Sequence, residues 1–228
     1  MTSSNTSVLR DFTLPEARPL PVILLLDASG SMAQDGKIES LNGAVADLLG
    51  ALAREESLRA AVHVGVLAFS NEVLAHLDVM PADQALAAWR PLEAGGRTAM
   101  GATFEQCRRL LENRDLITSR SYRPTLVLVS DGIPTDEWET TLQQLLDSPR
   151  ASKATRLAMG IGPDADLSML SRFLHNSEIP VFNAAGAREI TRFFRWVTMS
   201  VVARTRSTTP DQLPPPPPLL DDDDEIRF

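Results

Sequence analysis

The chain is built on short, wholly apolar runs separated by longer stretches that are apolar on one face only. Val22-Ile23-Leu24-Leu25-Leu26 contains no polar residue, and neither does Leu126-Val127-Leu128-Val129. A strand with one face in water alternates apolar and polar residues. One that never alternates has both faces covered, as in a parallel sheet flanked by helices. Strands are therefore expected at 21–26, 62–69, 125–130, 155–161 and 180–183, with a more polar strand at 72–79 that follows Ser70-Asn71 as a hairpin edge. Helical spacing marks 37–55, 82–89, 101–113, 137–147, 166–174 and 187–203. In the first of these, Ile38, Leu41, Val45, Leu48, Leu49 and Leu52 share a face, with Glu39, Asp47, Arg54 and Glu55 elsewhere. The alternation implies an α/β fold: a doubly wound, mostly parallel central sheet with one antiparallel edge strand and helices on both faces. Right-handed crossovers bring the loops after 26, 130 and 161 to one rim of that sheet.

A length of 228 residues suits one sizeable domain. The expected organisation is an N-terminal extension at 1–17, the domain at 18–205, and a tail at 206–228. The tail holds Pro214 to Pro218, then Leu219-Leu220, then Asp221 to Glu225, a composition that cannot bury a core and is expected to be disordered or extended. Ser207, Thr208 and Thr209 are accessible hydroxyls there. Half of the net charge of −8 sits in 221–228, so the remainder is only mildly acidic and shows no basic stripe. That argues against nucleic acid as the main partner. No apolar run approaches the roughly 18–20 residues needed to span a bilayer, and the polar start lacks an apolar signal core. A cytoplasmic location follows as the default expectation. Cys107 lies with Phe104, Leu110 and Leu111 on one helical face and reads as a small buried hydrophobe.

The first apolar run ends on Asp27-Ala28-Ser29-Gly30-Ser31. One carboxylate and two hydroxyls within five residues, at the carboxyl end of a buried strand, are hard oxygen donors placed where open α/β sheets gather ligands. Alone, such a loop is often a turn or a helix cap. A glycine-rich loop, Gly95-Gly96-Arg97-Thr98-Ala99-Met100-Gly101, precedes the helix at 101–113, and taken alone reads as a helix start capped by Thr98. The run at 125–130 also ends on an acid, Ser130-Asp131-Gly132. Together, two parallel strands bring Asp27 and Asp131 to one rim with a Gly/Thr loop between them in sequence.

This constellation resembles the metal-ion-dependent adhesion site of the von Willebrand factor A domain family, which has an Asp-x-Ser-x-Ser motif, a loop threonine and a later aspartate. The matching positions are Asp27, Ser29, Ser31, Thr98 and Asp131, and the resemblance extends over roughly 18–205. It implies a bound Mg²⁺ (or Mn²⁺ or Ca²⁺), held directly by the hydroxyls with the aspartates often acting through water. One coordination position would be left for an Asp or Glu of a protein partner. The stretches Asp35 to Asn42 and Ser130 to Asp136 are similar to the tellurium-resistance TerY group of bacterial cytosolic proteins, often encoded beside a PP2C-type phosphatase and a Ser/Thr kinase. The implied function is an adaptor in a bacterial stress-response or phosphorylation pathway, not an enzyme.

Two rivals come from other classes. One is a Mg²⁺-dependent phosphatase or hydrolase using Asp27 and Asp131, although no Asp-x-Asp stands at a strand end. The other is a subunit of an ATPase-linked chelatase or chaperone, which needs a separate motor. His63, His76 and His175 are far apart, and no Cys or His pair has zinc spacing. Gly160-Ile161-Gly162 lacks the rest of a dinucleotide fingerprint. Asp136, with Glu139 three positions on, is expected to cap the helix starting near Glu137. Asp35 and Gly36 are expected to form a turn, Arg97 an exposed rim contact, and Thr103 a first-turn helix residue.

Overall fold

The computed structural model describes residues 17–55, 57, 59–176 and 178–211. All but residue 17 of the expected N-terminal extension (1–17), and the tail from 212 onward, lie outside the described residues. In chain order the elements are β1 (Arg18–Asp27), α1 (Lys37–Ala53), β2 (Ala60–Phe69), β3 (Val73–Pro81), α2 (Ala82–Ala88), α3 (Met100–Glu112), β4 (Thr125–Ser130), α4 (Glu139–Asp147), β5 (Thr155–Ile161), α5 (Leu167–Leu174), β6 (Phe182–Ala184) and α6 (Ala187–Arg206). Short 3₁₀ turns at Gly30–Ala33 and Ala151–Lys153 complete the list.

The six strands form one sheet in the order β3-β2-β1-β4-β5-β6. All neighbours are parallel except β2 and β3, which form the antiparallel edge. This is the expected doubly wound architecture. Leu20 and Val22 through Leu26 are fully buried, as are Leu126 through Val129, so both faces of the central strands are covered. Helix α1 packs against α2 and α6, while α3 packs against α4 and stacks Phe104 on Phe173 of α5.

Strand β1 starts three residues earlier than the sequence pattern suggests, through two prolines that lack backbone donors. The ladder explains why they fit. The Arg18 N–H bonds the Arg59 carbonyl on the β2 side, so positions 19 and 21 face the opposite side. There β4 pairs only from Val22 onward, and no donor is needed from Pro19 or Pro21.

The chain order along the sheet reverses between β1 and β4. The crevice outside the carboxyl ends of those two strands is the topological switch point, where such sheets bind their ligands. Both Asp27 and Asp131 stand there.

At the opposite end of the strands, Arg204 of α6 is buried. Its guanidinium donates to the Pro210 carbonyl at 2.6 Å, to Thr125 Oγ1 at 2.5 Å and to the Arg123 carbonyl at 2.7 Å. Asp211 Oδ1 accepts from the Arg123 N–H at 2.8 Å. The stretch 207–211, sequence-assigned to the tail, therefore folds back onto the start of β4.

Candidate metal centre

Strand β1 ends with Asp27 wholly buried. Its two oxygens are both engaged: Oδ1 accepts from the Ser29 N–H at 2.8 Å, and Oδ2 accepts from Ser130 Oγ at 2.6 Å. The 3₁₀ turn that follows sets the Ser29 and Ser31 hydroxyls 3.0 Å apart. Ser31 Oγ donates to Asp131 Oδ1 at 2.6 Å, bridging the ends of β1 and β4. A hydroxyl that gives its proton to a carboxylate keeps its lone pairs for another acceptor role.

The glycine-rich loop is laced to this turn by backbone bonds. Gly95 N–H donates to the Ala28 carbonyl at 2.8 Å, and Gly30 N–H donates to the Gly96 carbonyl at 3.0 Å. Gly96 has φ +82° and lies against Asn71, where an added Cβ would come within 2.8 Å of that side chain. Glycine is required there on both counts. Asn71 Oδ1 in turn accepts from the Arg97 N–H at 3.1 Å. Thr135 closes the loop from the other side, bonding both the N–H and the carbonyl of Thr98. Thr98 is thereby delivered beside Ser31: a Cβ at Gly132 would lie 3.4 Å from Thr98 Oγ1 and 3.7 Å from Ser31 Oγ.

Thus the structure brings together all five positions singled out in the sequence, Asp27, Ser29, Ser31, Thr98 and Asp131. Thr98 does not serve as a helix cap. The residue before α3 is Ala99, which makes no side-chain cap, and Thr98 Oγ1 has no hydrogen-bond partner among the described residues. Asp136 is also corrected. It caps α3 and not α4, with Oδ1 accepting from Gly101 N–H at 2.9 Å and Oδ2 from Ala102 N–H at 3.0 Å. Helix α4 begins at Glu139, and it is Glu137 that accepts from the Thr140 N–H. Asp35 and Gly36 form the expected turn, both with left-handed backbone (φ +53° and +67°). Arg97 is exposed, and Thr103 is buried with its hydroxyl on the Ala99 carbonyl. His76 is taken up by the Arg90 carbonyl and the Trp89 ring.

Two contributors were not singled out by sequence. Ser130 holds Asp27, and its only signal was a hydroxyl directly before a strand-terminal acid. Lys37 Nζ lies 2.7 Å from Asp131 Oδ2, with the carboxylate fully buried and the lysine side chain 14% exposed. Its signal was a cation at the first position of a helix, the end that ordinarily favours anions.

Burial drives the electrostatics. Asp27 has its pKa raised to about 6, chiefly by desolvation, with the bonds from Ser130 and Ser29 pulling it down and the Asp131 charge pushing it up. A carboxylate so short of compensating charge is matched to a cation. Among the described residues no three His, Cys, Asp or Glu side chains gather, so donors for a soft-metal site are lacking. Three hydroxyls and two carboxylates instead fit a hard divalent ion.

A family model, the von Willebrand factor type A domain, matches residues 22–133. No curated protein matches the sequence. Among solved structures, von Willebrand factor type A from Catenulispora acidiphila is 22% identical with a TM-score of 0.65, covering 81% of this chain and 42% of that one. Proximal thread matrix protein 1 from the mussel byssus, with a zinc-occupied MIDAS (metal-ion-dependent adhesion site) motif, is 16% identical with a TM-score of 0.64, covering 82% and 48%. The pilus adhesin SpaC from Lactobacillus rhamnosus GG is 15% identical with a TM-score of 0.65, covering 82% and 31%. This chain therefore spans less than half the length of each of these three proteins, and at such identities the likeness is one of fold. Residues 22–133 thus match the model of the von Willebrand factor type A domain, and the sheet order, with the switch point where the site stands, agrees with the fold of these structures.

Proposed function

We propose that the chain is a metal-dependent protein-interaction module. Ser29, Ser31 and Thr98 would hold a divalent cation, Mg²⁺ ahead of Mn²⁺ or Ca²⁺, and Asp27 and Asp131 would offset its charge from behind. The observation that carries this reading is the convergence of three hydroxyls at one rim: Ser29 Oγ and Ser31 Oγ stand 3.0 Å apart, and a Cβ at Gly132 would touch both Thr98 Oγ1 at 3.4 Å and Ser31 Oγ at 3.7 Å, with the Thr98 loop held by backbone and side-chain bonds. A cation bound there supplies an electrophilic position open to an oxygen from outside. This chain's residues do the rest. Ser130 and the Ser29 N–H lock the Asp27 carboxylate, and Ser31 directs its proton to Asp131 and accepts from Ser29 Oγ, which leaves one lone pair free.

The incoming ligand is an Asp or Glu of a protein partner, with exposed Arg97 as a second contact. Ile133, 67% exposed, offers an apolar neighbour on the same loop as Asp131. The reading is supported by the zinc-occupied motif of the byssus protein and by the adhesin among the structural neighbours. We assign the partner to a bacterial stress-response or phosphorylation pathway, as a Ser/Thr kinase or PP2C-type phosphatase. The support for this assignment is the two TerY-like stretches, 35–42 and 130–136.

The site is read as non-catalytic. Asp27 is covered and bonded at both oxygens, so it is closed to a substrate as nucleophile. The test is calorimetric titration with Mg²⁺, Mn²⁺ and Zn²⁺, followed by capture of partners from native lysate with metal or EDTA. Capture that depends on metal and is lost in Thr98→Ala is expected. Capture undiminished by EDTA would mean that the partner docks elsewhere, and phosphate release from a model substrate would favour the enzymatic rival.

A further inference from the structure

Among the described residues Lys37 is the one basic side chain bonded to the site, and its position runs against local preference. It is the first residue of α1, where the helix macrodipole disfavours a cation. Two consecutive left-handed residues, Asp35 and Gly36, turn the chain so that α1 begins with the ammonium reaching back to Asp131 Oδ2. The other oxygen of Asp131 is held by Ser31. Behind the lysine lies a cleft of about 150 Å³, lined among others by Asp35, Gly162, Asp164 and Gly186. A Cβ at Gly162 would be in ordinary contact with Nζ at 3.6 Å. Asp35 and Asp164 are the other acids facing this cleft, and neither pairs with Lys37. The lysine's only ion-pair partner among the described residues is Asp131.

The charge count follows. Asp27 and Asp131 contribute −2 when ionised, and Lys37 contributes +1. Loading a divalent ion would leave a neutral centre if the two carboxylates stood alone, but with Lys37 in place it leaves a net +1. Like charges a few ångströms apart in a buried setting repel strongly.

We propose that Lys37 sets the charge of the loaded site, weakening its hold on the divalent cation while making the loaded centre net positive, and so selective for an anionic carboxylate ligand. This rests on the metal-dependent reading above. Lys37 acts here as a positioning and tuning residue: it touches Asp131, not the incoming ligand.

The test compares the parent with Lys37→Gln, Lys37→Met and Lys37→Arg, each first checked for the parent's near-ultraviolet circular dichroism. Glutamine can still donate to Asp131, so at least one neutral variant is expected to fold. Mn²⁺ affinity is measured by calorimetry. Acetate is then titrated into the Mn²⁺-loaded protein while water-proton relaxation reports its displacement of metal-bound water. The neutral variants should bind Mn²⁺ at least tenfold more tightly and acetate at least fivefold more weakly, while Lys37→Arg stays within threefold of the parent on both. Binding of Mn²⁺ by a neutral variant but not by the parent would support the weakened hold on the cation and overturn the selectivity half, since the parent centre would not load. Equal Mn²⁺ affinity in parent and neutral variants overturns it, and tighter Mn²⁺ with unchanged acetate overturns its selectivity half. Failure of every protein, parent included, to bind Mn²⁺ defeats the metal reading itself.

Discussion

Asp136 accepts hydrogen bonds from the Gly101 and Ala102 backbone, so the loop after β4 caps the helix that follows the glycine-rich loop. The approach is so close that a Cβ at position 101 would fall 1.9 Å from the Glu137 carbonyl oxygen. Backbone cannot yield as a flexible side chain can. Gly101→Ala is expected to cost about 1–3 kcal/mol or somewhat more, and Asp136→Ala about 1–2 kcal/mol for the lost cap. Urea denaturation checks both. A Gly101→Ala protein as stable as the parent would show that the two loops can part freely.

Divalent metal should stabilise the fold. At a free concentration of about 100 times Kd, a native-state ligand adds roughly 2.7 kcal/mol, or about 5–10 °C in Tm for a chain of this size. The double variant Ser29→Ala/Ser31→Ala should lose the response while keeping its fold. Superimposable melts of the parent with Mg²⁺, Mn²⁺ and EDTA would contradict the donor set.

The C-terminal boundary is testable by two truncations. A chain ending at Arg206 loses the Pro210 carbonyl that accepts from the Arg204 guanidinium and the Asp211 carboxylate that accepts from Arg123. Leaving a buried donor unpaired costs on the order of 1–3 kcal/mol. A chain ending at Asp211 retains both bonds and should melt close to the full-length protein. Equal melting of the two truncations would show that residues 207–211 contribute nothing.

Cys107 offers a probe of global opening. Burial pushes its thiol up to about 12, against an ordinary value of 9.0. An unfolded chain therefore releases the thiol proton between about pH 9 and 12 while the native one keeps it. The native state consequently loses stability as pH rises through that window. Cys107→Ala should flatten this alkaline loss after allowance for the cavity it leaves. At pH 8 a thiol reagent should label the parent only through unfolding, and rapid labelling in native buffer would refute the burial.

Much of the fold was legible because apolar periodicity is a direct record of burial. Val22 to Leu26 and Leu126 to Val129 could only be central strands, and their terminal acids then had to share a rim. Asp27, Ser29, Ser31 and Asp131 could be placed for the same reason, since strand ends fix which rim each reaches, whereas Thr98 read locally as a helix cap and entered the set through the resemblance to the metal-ion-dependent adhesion site. Long-range partners were not legible. Nothing near Asp136 says that its cap belongs to α3, since the capping pattern with Glu139 is a local signal and the winning contact is across two loops. Lys37 was hidden similarly, its partner Asp131 lying in the loop just past β4. Pro19 and Pro21 misplaced the start of β1 because a missing donor matters only on the side where a neighbour strand is present.

The pairing of Ile23 with Leu126 joins parts of the chain separated by all of α1, β2, β3, α2 and α3. Asp131 can reach Ser31 only after that pairing is made. A chain emerging during synthesis would carry Asp27, Ser29, Ser31 and Lys37 early, yet would lack the carboxylate and the loop support that finish the set. Contacts of such separation form late, after the cost of closing a long loop has been met. Metal would then act as a latch on the completed sheet and not as a nucleus for it: added ion should slow unfolding while leaving the rate of folding nearly unchanged.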